Sequence, residues 1–154
     1  MTRMTIKVKK SPKAALRALE RINKKMKGPN IVKVGLPRGS MNYPDGTSVI
    51  RVGTVHEFGS GNVPERSYLR STMEENRREY RRIQKNMYKK VIKGKVSMKK
   101  ALSMIGEKVK GDVQQKITDI SEPPLKVRVG GNPLVDTGHL RSVINYQIGD
   151  GDAS

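Results

Sequence analysis

The sequence predicts an α+β domain, α/β in the broad sense, with a small mixed or antiparallel sheet of three or four strands packed by two long antiparallel helices plus shorter helices. Three observations predict it. Leu69, Met73, Asn76, Tyr80, Ile83, Met87 and Val91 recur every three or four positions, which keeps one stripe on one helix face over roughly seven turns. A second helical period, Met98, Ala101, Leu102, Ile105, Val109, Val113, Ile117 and Ile120, begins only a few residues later, so the two helices should lie antiparallel. Short alternating or β-branched runs stand at 4–8, 31–36 and 143–148.

Taken in order, Met4, Ile6 and Val8 alternate with polar residues and suggest a short first strand. Ser11-Pro12 supplies an N-cap and a proline at the first helical position, and Ala15, Leu16, Leu19, Ile22 and Met26 form a helical stripe closed by Gly28-Pro29. Ile31 to Leu36 is a strand by its β-branched content and stops at Pro37. A loop from Arg38 to Gly46 follows, with Pro44-Asp45-Gly46 as turn chemistry. Thr47 or Ser48 then caps a helix through Val49, Val52, Val55, His56 and Phe58 that ends at Gly59.

The long helix extends to Gly94, and Ser97 caps the next one. Gly106 and Gly111 each cost that second helix about 1 kcal/mol relative to alanine, which points to close packing or to a softened, frayable segment at these points. Pro123-Pro124 ends it, Lys126 to Val129 is a candidate strand edge, and Gly130-Gly131 opens a loop. Asp136 or Thr137 caps a short helical turn holding Leu140, and Ile144, Tyr146 and Ile148 share one face of a closing strand. Residues 1–148 read as one domain and 149–154 as a flexible tail.

The composition is that of a thin core. Of 154 residues 34% are hydrophobic, with one Phe, no Trp and eight Met, so part of the apolar surface is expected to need a neighbouring subunit. With no cysteine and two distant histidines, disulfides are excluded and a zinc centre is not expected. No cofactor is called for. The N-terminus lacks an apolar signal core and no run approaches 18 apolar residues, so a cytosolic, soluble chain without membrane contact is expected.

The formal charge of +18 reads either as a solvated basic surface or as the mark of a polyanionic neighbour, nucleic acid or an acidic protein ring. Arg77, Arg78, Arg81, Arg82, Lys85 and Lys89 concentrate it on one face of the long helix. Zinc-finger spacing and stacking aromatics are missing, so a DNA contact would be to phosphates and salt-sensitive.

Chemistry-bearing constellations are sparse. Asp136-Thr137-Gly138 after two apolar residues has the look of an aspartic-protease half-site, but helical periods over most of the chain oppose that all-β architecture and favour a helix cap. His56-Glu57 lacks the second histidine of a zincin. His56 is read as a helix-end residue packing beside a buried Phe58. No base-bearing constellation supports a Ser or Lys nucleophile, and the chain is not expected to be an enzyme.

His56-Glu57-Phe58-Gly59, then Pro64-Glu65-Arg66-Ser67-Tyr68-Leu69-Arg70, and much later Asn132-Pro133-Leu134-Val135-Asp136-Thr137-Gly138-His139-Leu140-Arg141-Ser142 together resemble the tail-completion or neck proteins of tailed bacteriophages, in which the patterns read "hEFG", "PxRxFLR" and "PLxDTGxLRxSI". The resemblance spans roughly residues 30–148 and rests on the order and spacing of the motifs. It departs at Ser67-Tyr68, where the family often has Pro-Phe, and at His139, where Arg or Ala is usual. It implies a cofactor-free structural protein of the virion, made in the host cytoplasm. Its place would be a ring, a hexamer, at the head-proximal end of the tail, touching neighbouring neck, tail-terminator or tail-tube proteins and the passing DNA. In that setting Phe58 and Gly59 end a helix where the chain reverses, and Pro64 restricts entry to the long helix. Arg66 and Arg70 reach carboxylates or helix-end carbonyls, Asp136 caps, and Leu140 packs.

Overall fold

A computed structural model describes residues 11–120 and 138–149. The expected strands at 4–8 and 126–129, and the segment Asn132 to Thr137, lie outside the described residues. The chain is a mixture of helix and strand. Helix α1 spans Pro12–Met26 with Ser11 as N-cap, its hydroxyl accepting from the Ala14 N–H at 3.3 Å. Strand β1 is Ile31–Gly35. Helix α2, Val49–Phe58, is capped by Ser48 rather than Thr47 and ends at Gly59, whose φ of 74° requires glycine.

The single long helix is replaced by two, α3 at Leu69–Glu75 and α4 at Arg77–Ile92. The interruption is Asn76. Its backbone N–H and its Nδ2 both reach the Thr72 carbonyl, at 3.1 and 3.0 Å, which is the local competition with the helix ladder that asparagine brings. The break rephases the stripe: Thr72 is buried in α3, and Met73, expected inside, is 48% exposed.

Helix α5, Met98–Asp119, starts where Ser97 accepts from the Lys100 N–H at 3.2 Å. It runs antiparallel to α4. Val91 packs near Met98 at the turn, the Tyr80 hydroxyl donates to Asp112 at 2.9 Å, and Lys116 pairs with Glu75 at 2.6 Å at the far end. Helix α6 is His139–Val143, and strand β2 is Asn145–Gly149, one residue into the expected tail.

Among the described residues the sheet has two strands, not three or four, with β1 antiparallel to β2. The pairs Val32↔Ile148 and Val34↔Tyr146 turn one face towards the core, while Lys33 and Gln147 face outward. Helix α5 lies against that inner face and fills both parts of the core, through Ile105, Val109, Val113 and Ile117 in one and Met98, Ala101 and Leu102 in the other. Gly106 admits the Tyr146 ring, since a Cβ there would stand 2.5 Å from it. Gly111, for which close packing was also expected, has open space around it. No described helix is long and apolar enough to cross a membrane.

Candidate functional site

The first sequence motif folds into a clasp between the end of α2 and the start of α3. Glu57, in the last turn of α2, is 3% exposed. Its Oε2 accepts the backbone N–H groups of Tyr68 and Leu69, each at 2.8 Å. Its Oε1 accepts the Ser67 hydroxyl at 2.9 Å, the Arg70 N–H at 2.9 Å and Arg70 Nε at 3.1 Å. A helix begins with N–H groups that have no partner inside the helix, and a carboxylate there meets both those donors and the positive end of the helix dipole. Glu57 therefore caps α3 from another element.

The return contacts cap α2. The Arg66 N–H donates to the His56 carbonyl at 2.7 Å, and Arg70 Nη2 donates to the Glu57 carbonyl at 2.7 Å while pairing with Glu65 at 2.8 Å. Arg70 thus reaches both a carboxylate and a helix-end carbonyl, as expected of it. Arg66 is buried, with Nη1 3.4 Å from His56 Nδ1. Two helix ends of opposite polarity neutralise each other.

Burial, the largest single influence on Glu57, pushes its carboxyl up. The hydrogen bonds from Leu69, Arg70, Ser67 and Tyr68 together outweigh it and hold the group below its ordinary value. His56 is also held below its ordinary value, first by burial and then by the Arg66 charge.

Phe58 is not in the core. It is 59% exposed and carries the Arg70 guanidinium 4.6 Å above its ring centre. Tyr68 takes the buried aromatic position instead, and burial raises its hydroxyl well above the usual tyrosine value. The Tyr68 hydroxyl is enclosed without a hydrogen-bond partner among the described residues.

The second motif reaches the same place through Leu140. A Cβ on Gly53, in the middle of α2, would collide with Leu36 and stand 2.7 Å from the Tyr68 hydroxyl and 3.2 Å from Leu140 Cδ1. Side chains from β1's end, α3 and α6 thus converge on one glycine. His139 rests on Tyr43 with ring centres 4.7 Å apart, its Nε2 2.7 Å from the Met41 carbonyl. Arg141 is exposed, its carbonyl accepting from Gln114 at 3.0 Å. The residue at the N-cap position of α6 is Gly138, at φ 65°, and the expected cap by Asp136 or Thr137 lies outside the described residues. Pro64 stands in the connection ahead of the clasp and Leu69 is half-buried in its first turn.

No protein-family model, curated protein or solved structure matches the chain.

The basic face is separate from the clasp. Arg77, Arg78, Arg81, Arg82, Lys85 and Lys89 are all exposed, over an arc of about 140° on α4. None of the six pairs with an acid among the described residues, and Glu75 and Glu79 pair with Lys116 and Lys108 on α5. No described residues form a cluster of three or more His, Cys, Asp or Glu able to hold a metal. Sequence reasoning missed the parts played by Glu57, Gly53 and Tyr68. The available signal was Glu57 itself, an acid that shares the stretch from Thr47 to Thr72 with one other acid, Glu65, and with Arg51, Arg66 and Arg70.

Proposed function

We propose that the chain is a structural virion protein of a tailed bacteriophage, a tail-completion or neck component that forms a ring, a hexamer, at the head-proximal end of the tail. The supporting observation is that the resemblance motifs have a joint structural purpose. Residues 56–70 close into the clasp, and Leu140 packs on Gly53 beside it. The clasp's carboxylate is fully engaged by donors of its own chain, which suits a rigid joint. A ring protein at a joint has to keep its subunit shape while surfaces outside the core take the load. The exposed cations of α4 supply such a surface, towards an acidic neighbouring neck, tail-terminator or tail-tube protein or towards passing DNA.

The same cations favour a second reading, a basic protein that binds DNA through phosphates without sequence preference. Imaging of purified particles with this chain located tests the first reading. A ring of copies where tail meets head supports it. Absence from particles, together with salt-dependent DNA retardation by the isolated chain, selects the second.

A further inference from the structure

The positive charge along α4 and into α5 is of two kinds, held at two places. In the first two turns of α4 it is arginine, at Arg77, Arg78, Arg81 and Arg82. Between Glu79 and Glu107 the sequence has nine cations and no acid, and the seven cations that follow Arg82 are all lysine. All seven are exposed.

Chain reversal gathers lysines at one end of the α4 and α5 pair. The turn is closed at Gly94, whose φ of 73° lets its own N–H return to the Val91 carbonyl at 2.8 Å and the Lys95 N–H to the Lys90 carbonyl at 2.9 Å. Lys93 and Lys95 therefore flank a tight turn, and Ser97 starts α5 directly after it. The end of α1 joins them, because Lys25 Nζ donates to the Ile92 carbonyl at 3.1 Å and Met26 packs on the Val91 and Leu102 cluster. Between that end and the turn lies a cleft of about 560 Å³, with Lys25 and Lys27 on one side, Lys95 and Lys99 on the other, and Val91 and Met98 in its apolar lining. No acid lines it. None of its four lysines has an ion pair among the described residues. Like charges held around one cleft repel each other, so the arrangement is unfavourable until an anion enters. We infer that this lysine cleft binds the phosphate backbone of duplex nucleic acid without reading its sequence.

Three features favour that occupant. Protein interfaces are depleted in lysine and enriched in arginine, and an ammonium meets phosphate as a point charge, so the arginine turns of α4 suit an acidic protein better than the lysine end does. The cleft has no aromatic residue, which stacking on single-stranded bases would need. A concave site with cations on both sides receives a projecting row of phosphates, whereas a lipid surface is flat. The proposed function supplies only the source of the duplex, the DNA passing the ring; the binding itself is a property of the purified chain.

The experiment is fluorescence anisotropy of a labelled DNA duplex of mixed sequence titrated with the full chain between about 50 and about 200 mM salt, with circular dichroism to check folding. One variant carries Lys27→Gln, Lys93→Gln, Lys95→Gln and Lys99→Gln. A second removes the same charge elsewhere, through Arg77→Gln, Arg78→Gln, Arg81→Gln and Arg82→Gln. All eight side chains are exposed, so neither variant disturbs the core. The wild type is expected to lose about a hundredfold in affinity over that salt range, the loss that about four phosphate contacts produce. The lysine variant should bind about tenfold or more weakly at the lower salt, with a salt slope smaller by about three, and the arginine variant should stay within about threefold of wild type. A wild type that does not bind the duplex at the lowest salt overturns the inference. So does equal loss in both variants, which would make binding a matter of net charge and not of the cleft. Binding to vesicles of phosphatidylcholine and phosphatidylserine, with none to DNA, assigns the lysines to lipid and overturns it too. A chain located in the ring that fails these tests leaves the proposed function standing, and a chain absent from particles that passes them fails that function alone.

Discussion

Glu57 faces two opposed demands, because a carboxylate taken out of water is costly unless its lone pairs are filled, and the first turn of α3 presents the donors that fill them. Replacing it with glutamine keeps the shape, removes the charge and sets an amide donor against N–H donors. Glu57→Gln is expected to lose about 2–3 kcal/mol, seen as a drop in melting temperature of about 2–4 °C for each kcal/mol. The pH dependence has a definite sign. Glu57 is held below 4.5, so its contribution is full above that value and is lost as pH falls through the lower folded value. His56, held below 6.5, acts in the same direction, since the unfolded chain takes up its proton first as pH falls. Denaturant titrations from about pH 7.5 down to about pH 3.5 should show stability falling in two stages. Glu57→Gln should shrink the lower stage, leaving the part due to Asp45, which the Thr47 hydrogen bonds also hold below its ordinary value, and keep the upper one. Phe58→Ala, in contrast, should cost no more than about 1 kcal/mol, the scale of an exposed cation–π contact. A loss of several kcal/mol on thermal denaturation would put the ring back in the core.

At the scale of elements, the helices, their serine caps and the turn at Gly59 were legible because periodicity and capping are local properties of sequence. The break at Asn76 was not, since the residue fits a helical spacing and ends the helix only through its side chain's reach to Thr72. Phe58 was misplaced for a related reason. Hydrophobicity marks it for burial, yet it is the last residue of α2, and the neighbouring Tyr68 comes back to fill the space beside Gly53. The two glycines of α5 were alike in sequence and differ in the fold. Gly106→Ala must displace the Tyr146 ring and should destabilise by about 1–3 kcal/mol, whereas Gly111→Ala meets open space and should be neutral or stabilising by up to about 1 kcal/mol. Thermal melts of the two variants beside wild type check both signs.

For the whole molecule, the sequence conveyed the charge and its concentration on α4, and the structure adds that Glu75 and Glu79 turn to α5 instead of neutralising it. It conveyed less of the candidate site, because a clasp made by Glu57, Ser67 and Arg70 depends on chain reversal that no residue period encodes. Six cations on one helix, without an acidic partner among the described residues, repel each other, which is unfavourable to the isolated subunit and fits a surface that meets an anionic neighbour. Replacing Arg78, Arg81, Arg82 and Lys85 by glutamine should leave the fold intact or slightly more stable, because these side chains are exposed. The most direct measurement is attachment of wild-type and quadruply substituted protein to phage tails lacking this chain, at low and moderate salt. Wild-type attachment that weakens as salt rises, and is weakened in the folded variant, is the predicted result. Equal, salt-insensitive attachment of both proteins, or no attachment of the wild type at any salt concentration, would contradict it.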